Sequence, residues 1–150
     1  MTTKRVSSIA TLARSRLQTV RADRPLREVS QLLSNTHISL IVVCDQDERM
    51  IGVVSKSDVV RQIGRCAGHT CSDTVEGVMT RDVVSCCTTD GLSDVLSIMQ
   101  VKGLVHIPVV EADGKPSGVV NARDALRELV LEGQYEEALL RDYVMGVGYH

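Results

Sequence analysis

The 150-residue sequence contains no phenylalanine and no tryptophan, and its three tyrosines, Tyr135, Tyr143 and Tyr149, all fall near the C-terminus. A core must therefore be built from Val, Ile, Leu, Ala and Met. A planar ligand held in the body of the chain would meet aliphatic walls instead of an aromatic stack. The same lack removes the stacking platforms that hold single-stranded nucleic acid. A formal net charge of −2 supplies no basic field to replace them. Residues 1–22 do hold Lys4, Arg5, Arg14, Arg16 and Arg21 and no acid, in the manner of a transit peptide. Because repeated sequence already begins near Leu17, this arm reads as a solvated basic face. No apolar run approaches the ~18 residues of a membrane span, and no secretory signal is visible, so a cytoplasmic protein is expected. Five cysteines, an odd number, then imply reduced thiols. Cys66, His69 and Cys71, with Cys86 or Cys87 as a fourth ligand, match no established zinc spacing. No metal site is expected, and Cys44 reads as an ordinary strand residue.

What is present is written twice. Residues 52–60 spell GVVSKSDVV, and 66 positions later residues 118–126 spell GVVNARDAL. Sliding the chain by 66 keeps register without a gap from Leu17–Ile63 onto Val83–Leu129. Leu26/Leu92, Val29/Val95, Ile41/Ile107, Val43/Val109, Gly52/Gly118, Asp58/Asp124 and Arg61/Arg127 are identical pairs. A period this long exceeds a helical solenoid unit and marks a duplicated supersecondary unit.

Each copy parses as β-α-β-β-α, an α/β class fold. A short strand (17–20; 83–86) leads to a helix whose apolar positions Leu26, Val29, Leu32 and Leu33 form one stripe. Asp23 is the expected N-cap, with Pro25 in the first turn. The continuous apolar runs ISLIVVC and LVHIPVV predict strands buried on both faces. The turns DQDE and EADGK predict hairpins to MIGVVS and PSGVVN. Ser55-x-x-Asp58 resembles a capping box at the start of the closing helix. Residues 1–66 are then the first repeat with its N-terminal arm, 67–132 the second with its connector, and 133–150 a helical tail. In that tail Tyr135, Leu139 and Tyr143 share a stripe. VSSIA, near the N-terminus, reads as a weaker counterpart of the connector's TVEGVMT turn.

The order and double occurrence of GVVSKSD and GVVNARD, with HIPVVEADGKPSGVV and VEGVMTRDVVS, resemble the cystathionine-β-synthase (CBS) domain family. The likeness is to a tandem pair of the free-standing bacterial type, with two repeats packed in pseudo-two-fold symmetry. The resemblance implies two clefts that bind adenosine-containing ligands, AMP, ADP, ATP, NAD or S-adenosylmethionine. It carries Asp58 and Asp124 to the ribose diol, which one carboxylate accepts bidentately. Ser55, Lys56, Asn121, Arg123 and His106 fall at phosphate positions near helix starts, where free N–H groups and the dipole favour anions. Val20, Ile38, Val53, Leu104 and Val119 fall along the apolar walls that face the base, and Thr19, Ser85 and Cys86 are further ligand-binding positions. Gly52 and Gly118 would admit close approach of backbone. Asn121 stands where Ser or Thr is usual, Ser57 where Arg is common, and Val105 where a basic residue is frequent, so the copies are expected to differ.

Nothing pairs a nucleophile with a base or builds a glycine-rich phosphate loop. A non-enzymatic sensing module, without a catalytic cofactor and acting on an unknown regulated protein, is the leading expectation. A scaffolding pair with empty clefts is the alternative, and a nucleic-acid-associated protein a weaker one. Homodimerisation is expected through the helices at 26–37, 92–102 and 122–132.

Overall fold

The computed structural model describes residues 4–34, 38–65 and 74–132. The tail with its tyrosine stripe, and the connector residues Cys66, His69 and Cys71, lie outside them. Two strand-helix units are present, each with its own aliphatic core. In the first, β1 (Thr19–Arg21), α2 (Leu26–Leu33), β2 (Leu40–Cys44), β3 (Met50–Ser55) and α3 (Lys56–Arg65) follow one another. A six-residue helix, α1 (Ala10–Ser15), precedes them. In the second, α4 (Leu92–Lys102), β4 (His106–Val110), β5 (Pro116–Asn121) and α5 (Ala122–Glu132) repeat the order.

In the first sheet β1 pairs parallel to β2, and β2 antiparallel to β3. The second sheet is the hairpin β4–β5, and its first strand is reduced to a single parallel bridge between Cys86 and Val109. The predicted strand at 83–86 is thus shortened, for a chemical reason. In the first copy the Val42 N–H donates to the Gln18 carbonyl at 2.8 Å. The equivalent residue in the second copy is Pro108, which has no N–H to give. The next bonds survive, Cys86 N–H to the Pro108 carbonyl and Val110 N–H to the Cys86 carbonyl.

Other expectations shift at the ends of elements. Asp23 is not the cap of α2. Pro25 occupies that position in extended conformation, held by an antiparallel bridge to Thr74. The closing helices begin at Lys56 and Ala122, two residues before the aspartates. At the tight turns, copy two places Gly114 in the left-handed region (φ 86°), while copy one places Glu48 there (φ 66°).

The main departure from the linear division lies in the segments that precede each repeat. A 3-10 turn at Val6–Ile9 packs on the second repeat, with Val6 and Ile9 buried in its core beside Leu92, Leu96 and Leu129. A matching turn at Val75–Gly77 packs on the first repeat, with Val75 and Met79 in the core beside Leu26, Val29 and Ile41. The hydrogen bonds correspond one for one. Val6 and Ser7 N–H donate to the Asp90 and Thr88 carbonyls, and Val75 and Glu76 N–H to those of Arg24 and Ala22. Each repeat therefore lends a strap to the other. A third apolar cluster of Val42, Cys44, Val53 and Val119 draws on both sheets and joins them.

The straps explain the glycine of the doubled motif. A Cβ on Gly52 would lie 2.8 Å from the Thr80 carbonyl oxygen and from the Met79 sulfur. On Gly118 it would lie 2.8 Å from the Ala13 Cβ and 2.9 Å from its carbonyl carbon. The backbone that approaches these glycines is the strap. After their 3-10 turns the straps diverge. ATLARS, rich in helix formers, makes α1 over β5, whereas β-branched Val78 and Thr80 flank a strap that bridges β3 at Val53.

Candidate functional site

Each repeat ends its last strand at the start of its closing helix, and the strap from the other repeat crosses there. In copy one this junction holds Ser55, Asp58, Arg61 and Thr80. The Ser55 N–H donates to Asp58 Oδ2 at 2.9 Å, and the Asp58 N–H returns a bond to Ser55 Oγ at 3.3 Å. The pair is a reciprocal capping box. Arg61 donates to Oδ1 at 3.2 Å, and the Thr80 hydroxyl stands 3.4 Å from both carboxylate oxygens. Asp58 is 8% exposed, so its carboxylate is oriented and mostly out of water.

Copy two solves the same junction differently. Asn121 Oδ1 accepts the N–H groups of Arg123 (2.8 Å) and Asp124 (3.2 Å), capping α5. This fixes the amide orientation, so its NH₂ donates to His106 Nε2 at 2.9 Å. His106 consequently keeps its own proton on Nδ1. Asp124 is 5% exposed, and both of its oxygens are taken by Arg16 from the strap. Nη2 donates to Oδ1 at 3.0 Å and Nε to Oδ2. This is a two-pronged guanidinium–carboxylate pair.

The His106 pKa lies below the ordinary value. Burial is the main cause, the Arg16 cation adds to it, and the Asp124 carboxylate opposes it. With the folded pKa depressed, the unfolded chain binds more protons near and below pH 6.5. The associated stability is therefore present above that value and lost as pH falls. The thermal midpoint of the parent protein is expected to fall more steeply between pH 7.5 and 5.5 than that of His106→Gln. Superimposable slopes would show that His106 does not titrate against the fold.

The remaining predicted site residues are placed as follows. Val20 and Cys86 are buried in the two repeat cores, and burial pushes the Cys86 thiol up to about 12. Ile38 and Leu104 pack partly buried against those same cores, while Val53 and Val119 belong to the cluster between the sheets. Lys56, Ser85 and Arg123 are exposed. Thr19 and Val20 also line a cavity of about 360 Å³ with Arg21, Cys44, Asp45, Glu48, Lys115 and Pro116. Ser55 and Asp58 are thus brought together at one junction, and His106, Asn121 and Asp124 at the other. Thr80 and Arg16 were not anticipated. Their straps correspond at an offset of 69 (Val6 to Val75), whereas the repeats correspond at 66, so sliding by 66 aligns Arg16 with Asp82 instead.

Two strand-helix units that exchange straps, each presenting a buried carboxylate at a helix start beside the other's strap, define a duplicated α/β pair with two candidate ligand junctions. The CBS domain profile matches residues 6–65 and 75–131, and the chain belongs to that family. An uncharacterized 17.7 kDa protein of Acidianus ambivalens is 29% identical over 130 residues, 87% of this chain and 75% of that one. Of three longer curated relatives the chain spans only 38%, 32% and 40%. Among solved structures, CBSX2 in complex with AMP shares the fold at TM-score 0.73 and 22% identity, over 87% of this chain and 98% of that one. CBSX2 is a CBS-pair protein from Arabidopsis thaliana. The CBS domain pair of protein MJ0100, in complex with 5'-methylthioadenosine and S-adenosyl-L-methionine, does so at 0.72 and 19%, over 89% and 100%. Among the described residues, no helix is long and apolar enough to cross a membrane.

Proposed function

We propose that the chain is a non-catalytic regulatory module that binds adenosine-containing nucleotides at the strap junctions. One observation carries the reading. In both copies a nearly buried carboxylate stands at a helix start opposite a strap borrowed from the other repeat, Thr80 beside Asp58 and Arg16 beside Asp124. A ligand seated there touches both repeats at once, so its affinity depends on their relative placement, and binding shifts that placement. The adenosine compounds held by CBSX2 and MJ0100 support the ligand class. In the first cleft Asp58 is the diol acceptor, Ser55 and the backbone at Lys56 face phosphate, and Ile38 and Val53 contribute apolar wall. In the second, Asp124, Asn121, Arg123 and His106 hold the matching positions beside Leu104 and Val119. Thr19, Val20, Ser85 and Cys86 would take part through backbone groups.

Thermal melts with 1 mM AMP, ADP, ATP, NAD or S-adenosylmethionine test this. A ligand present at a hundred times its Kd stabilises by about 2.7 kcal/mol, which moves the midpoint by several degrees. No shift with any of the five would favour the scaffolding alternative. That alternative draws on the fact that both carboxylates already have partners within the chain, Ser55 on one oxygen of Asp58 and Arg16 on both oxygens of Asp124.

The module is further proposed to be a homodimer. Val60 and Ile63 on α3, with Val101 on α4 and Leu131 on α5, are more than 60% exposed. Of the helices expected at the interface, those at 92–102 and 122–132 carry such groups, and α3 presents them in place of the helix at 26–37. Light scattering at tens of micromolar chain should give twice the monomer mass, and the monomer mass would reject the dimer.

A further inference from the structure

We propose that Arg16 is a specificity-determining residue that holds the second cleft closed to a ribose diol and so makes the two clefts unequal. The inference rests on the reading of Asp58 and Asp124 as diol acceptors.

The two carboxylates occupy matching positions but have different partners. Asp58 Oδ2 accepts the Ser55 N–H at 2.9 Å and the Ser55 hydroxyl at 3.2 Å, while Oδ1 meets the Thr80 hydroxyl at 3.4 Å and one prong of Arg61, whose side chain is 61% exposed. The contacts on Oδ1 are long or solvent-screened, and a diol can replace them without displacing a two-pronged guanidinium. Asp124 is engaged through both oxygens by Arg16, whose side chain is 31% exposed against a carboxylate side chain that is 4% exposed. The fork fills the acceptor positions that two hydroxyls would need. A ligand entering the second cleft must displace the guanidinium before its own hydroxyls can bond, and affinity falls accordingly. The displaced residue is held by a strap of six-residue α1 and the preceding 3-10 turn, which belongs to the chain's other half. Opening the second cleft therefore requires the Arg16 side chain to swing off Asp124. The first cleft has no such requirement, because Thr80 offers one uncharged hydroxyl. His106 lies in the same network through Asn121, and it senses the Arg16 cation.

Calorimetric titration with AMP tests the proposal in the parent chain, Arg16→Gln, Arg16→Lys, Asp58→Asn and Arg16→Gln/Asp124→Asn. The parent should bind one AMP per chain. Arg16→Gln should bind two, the additional site having an affinity ten- to a hundredfold above that of the second cleft in the parent. The double variant should return to one. Arg16→Lys keeps a cation against the buried carboxylate without the fork. It should show a smaller gain, and it serves if Arg16→Gln is poorly folded by thermal melting. Isotherms of both Arg16 variants that superimpose on the parent would overturn the proposal. So would a parent that already binds two AMP of similar affinity. The reading of the first cleft fails separately. If the parent and Asp58→Asn bind nothing while Arg16→Gln gains one site, Arg16 keeps its role and the first-cleft assignment falls. Flat isotherms throughout overturn both.

Discussion

A chain that begins at Leu17 should lose its second repeat and retain much of its first. Val6, Ile9 and Ala13 are 1%, 6% and 3% exposed, and their burial is against the core that contains Leu92, Leu96, Met99 and Leu129 or against β5. Burying one Val or Ile side chain contributes roughly 1.5–3 kcal/mol, so removing Val6 and Ile9 alone should cost about 3–6 kcal/mol. Removal would also uncover backbone groups at Thr88 and Asp90, break the Lys4–Glu128 ion pair, and leave Asp124 buried without Arg16. Against a total stability of about 5–15 kcal/mol for an ordinary domain, this is enough to unfold the unit it covers. The first repeat keeps its own strap, residues 74–80, and its own core. Amide hydrogen exchange should therefore show protection lost across β4, β5 and α5 and largely kept across β2 and β3. Equal protection in both repeats, or an unchanged denaturation midpoint, would show that the strap is peripheral.

That result concerns the part of the fold that the sequence conveyed least clearly. The duplication, the β-α-β-β-α order, the two hairpins and the buried strands were legible because identical residues recur at one fixed offset and the apolar runs are unbroken. The capping box at Ser55 and Asp58 was legible because it spans only four residues. The exchange of straps was not, since it is a pairing of distant segments, Arg5 with Gly91 and Pro25 with Thr74, that local pattern does not encode. A hint was present in the likeness of VSSIA to TVEGVMT. The three-residue difference in offset then hid Arg16, which sits beside Asp124 only because α1 takes up the additional chain. The shortened strand at Cys86 had a visible cause in Pro108, and the close backbone approach expected at Gly52 and Gly118 is made by the straps.

Asp58→Asn should weaken adenosine-nucleotide binding by about one to two orders of magnitude while leaving the fold nearly intact. Asn is about as good as Asp at capping a helix start, and its amide oxygen can still accept the Ser55 N–H. The ion pair it loses is to Arg61, whose side chain is mostly in water, so the stability change should stay below about 1 kcal/mol. Binding suffers more. The substitution replaces one acceptor oxygen by a donor and removes the negative charge, so one ribose hydroxyl loses its partner and the other keeps only a neutral one. A charge-assisted hydrogen bond contributes roughly 1.5–3 kcal/mol, which corresponds to the stated loss of affinity. The deciding measurement is a calorimetric titration of the parent chain and Asp58→Asn with AMP, at matched protein concentration and salt. A dissociation constant ten- to a hundredfold larger in the variant, with an unchanged melting midpoint in the absence of ligand, is the result predicted. Equal dissociation constants in the two proteins would mean that Asp58 only caps α3, and that the doubled motif does not build a nucleotide cleft.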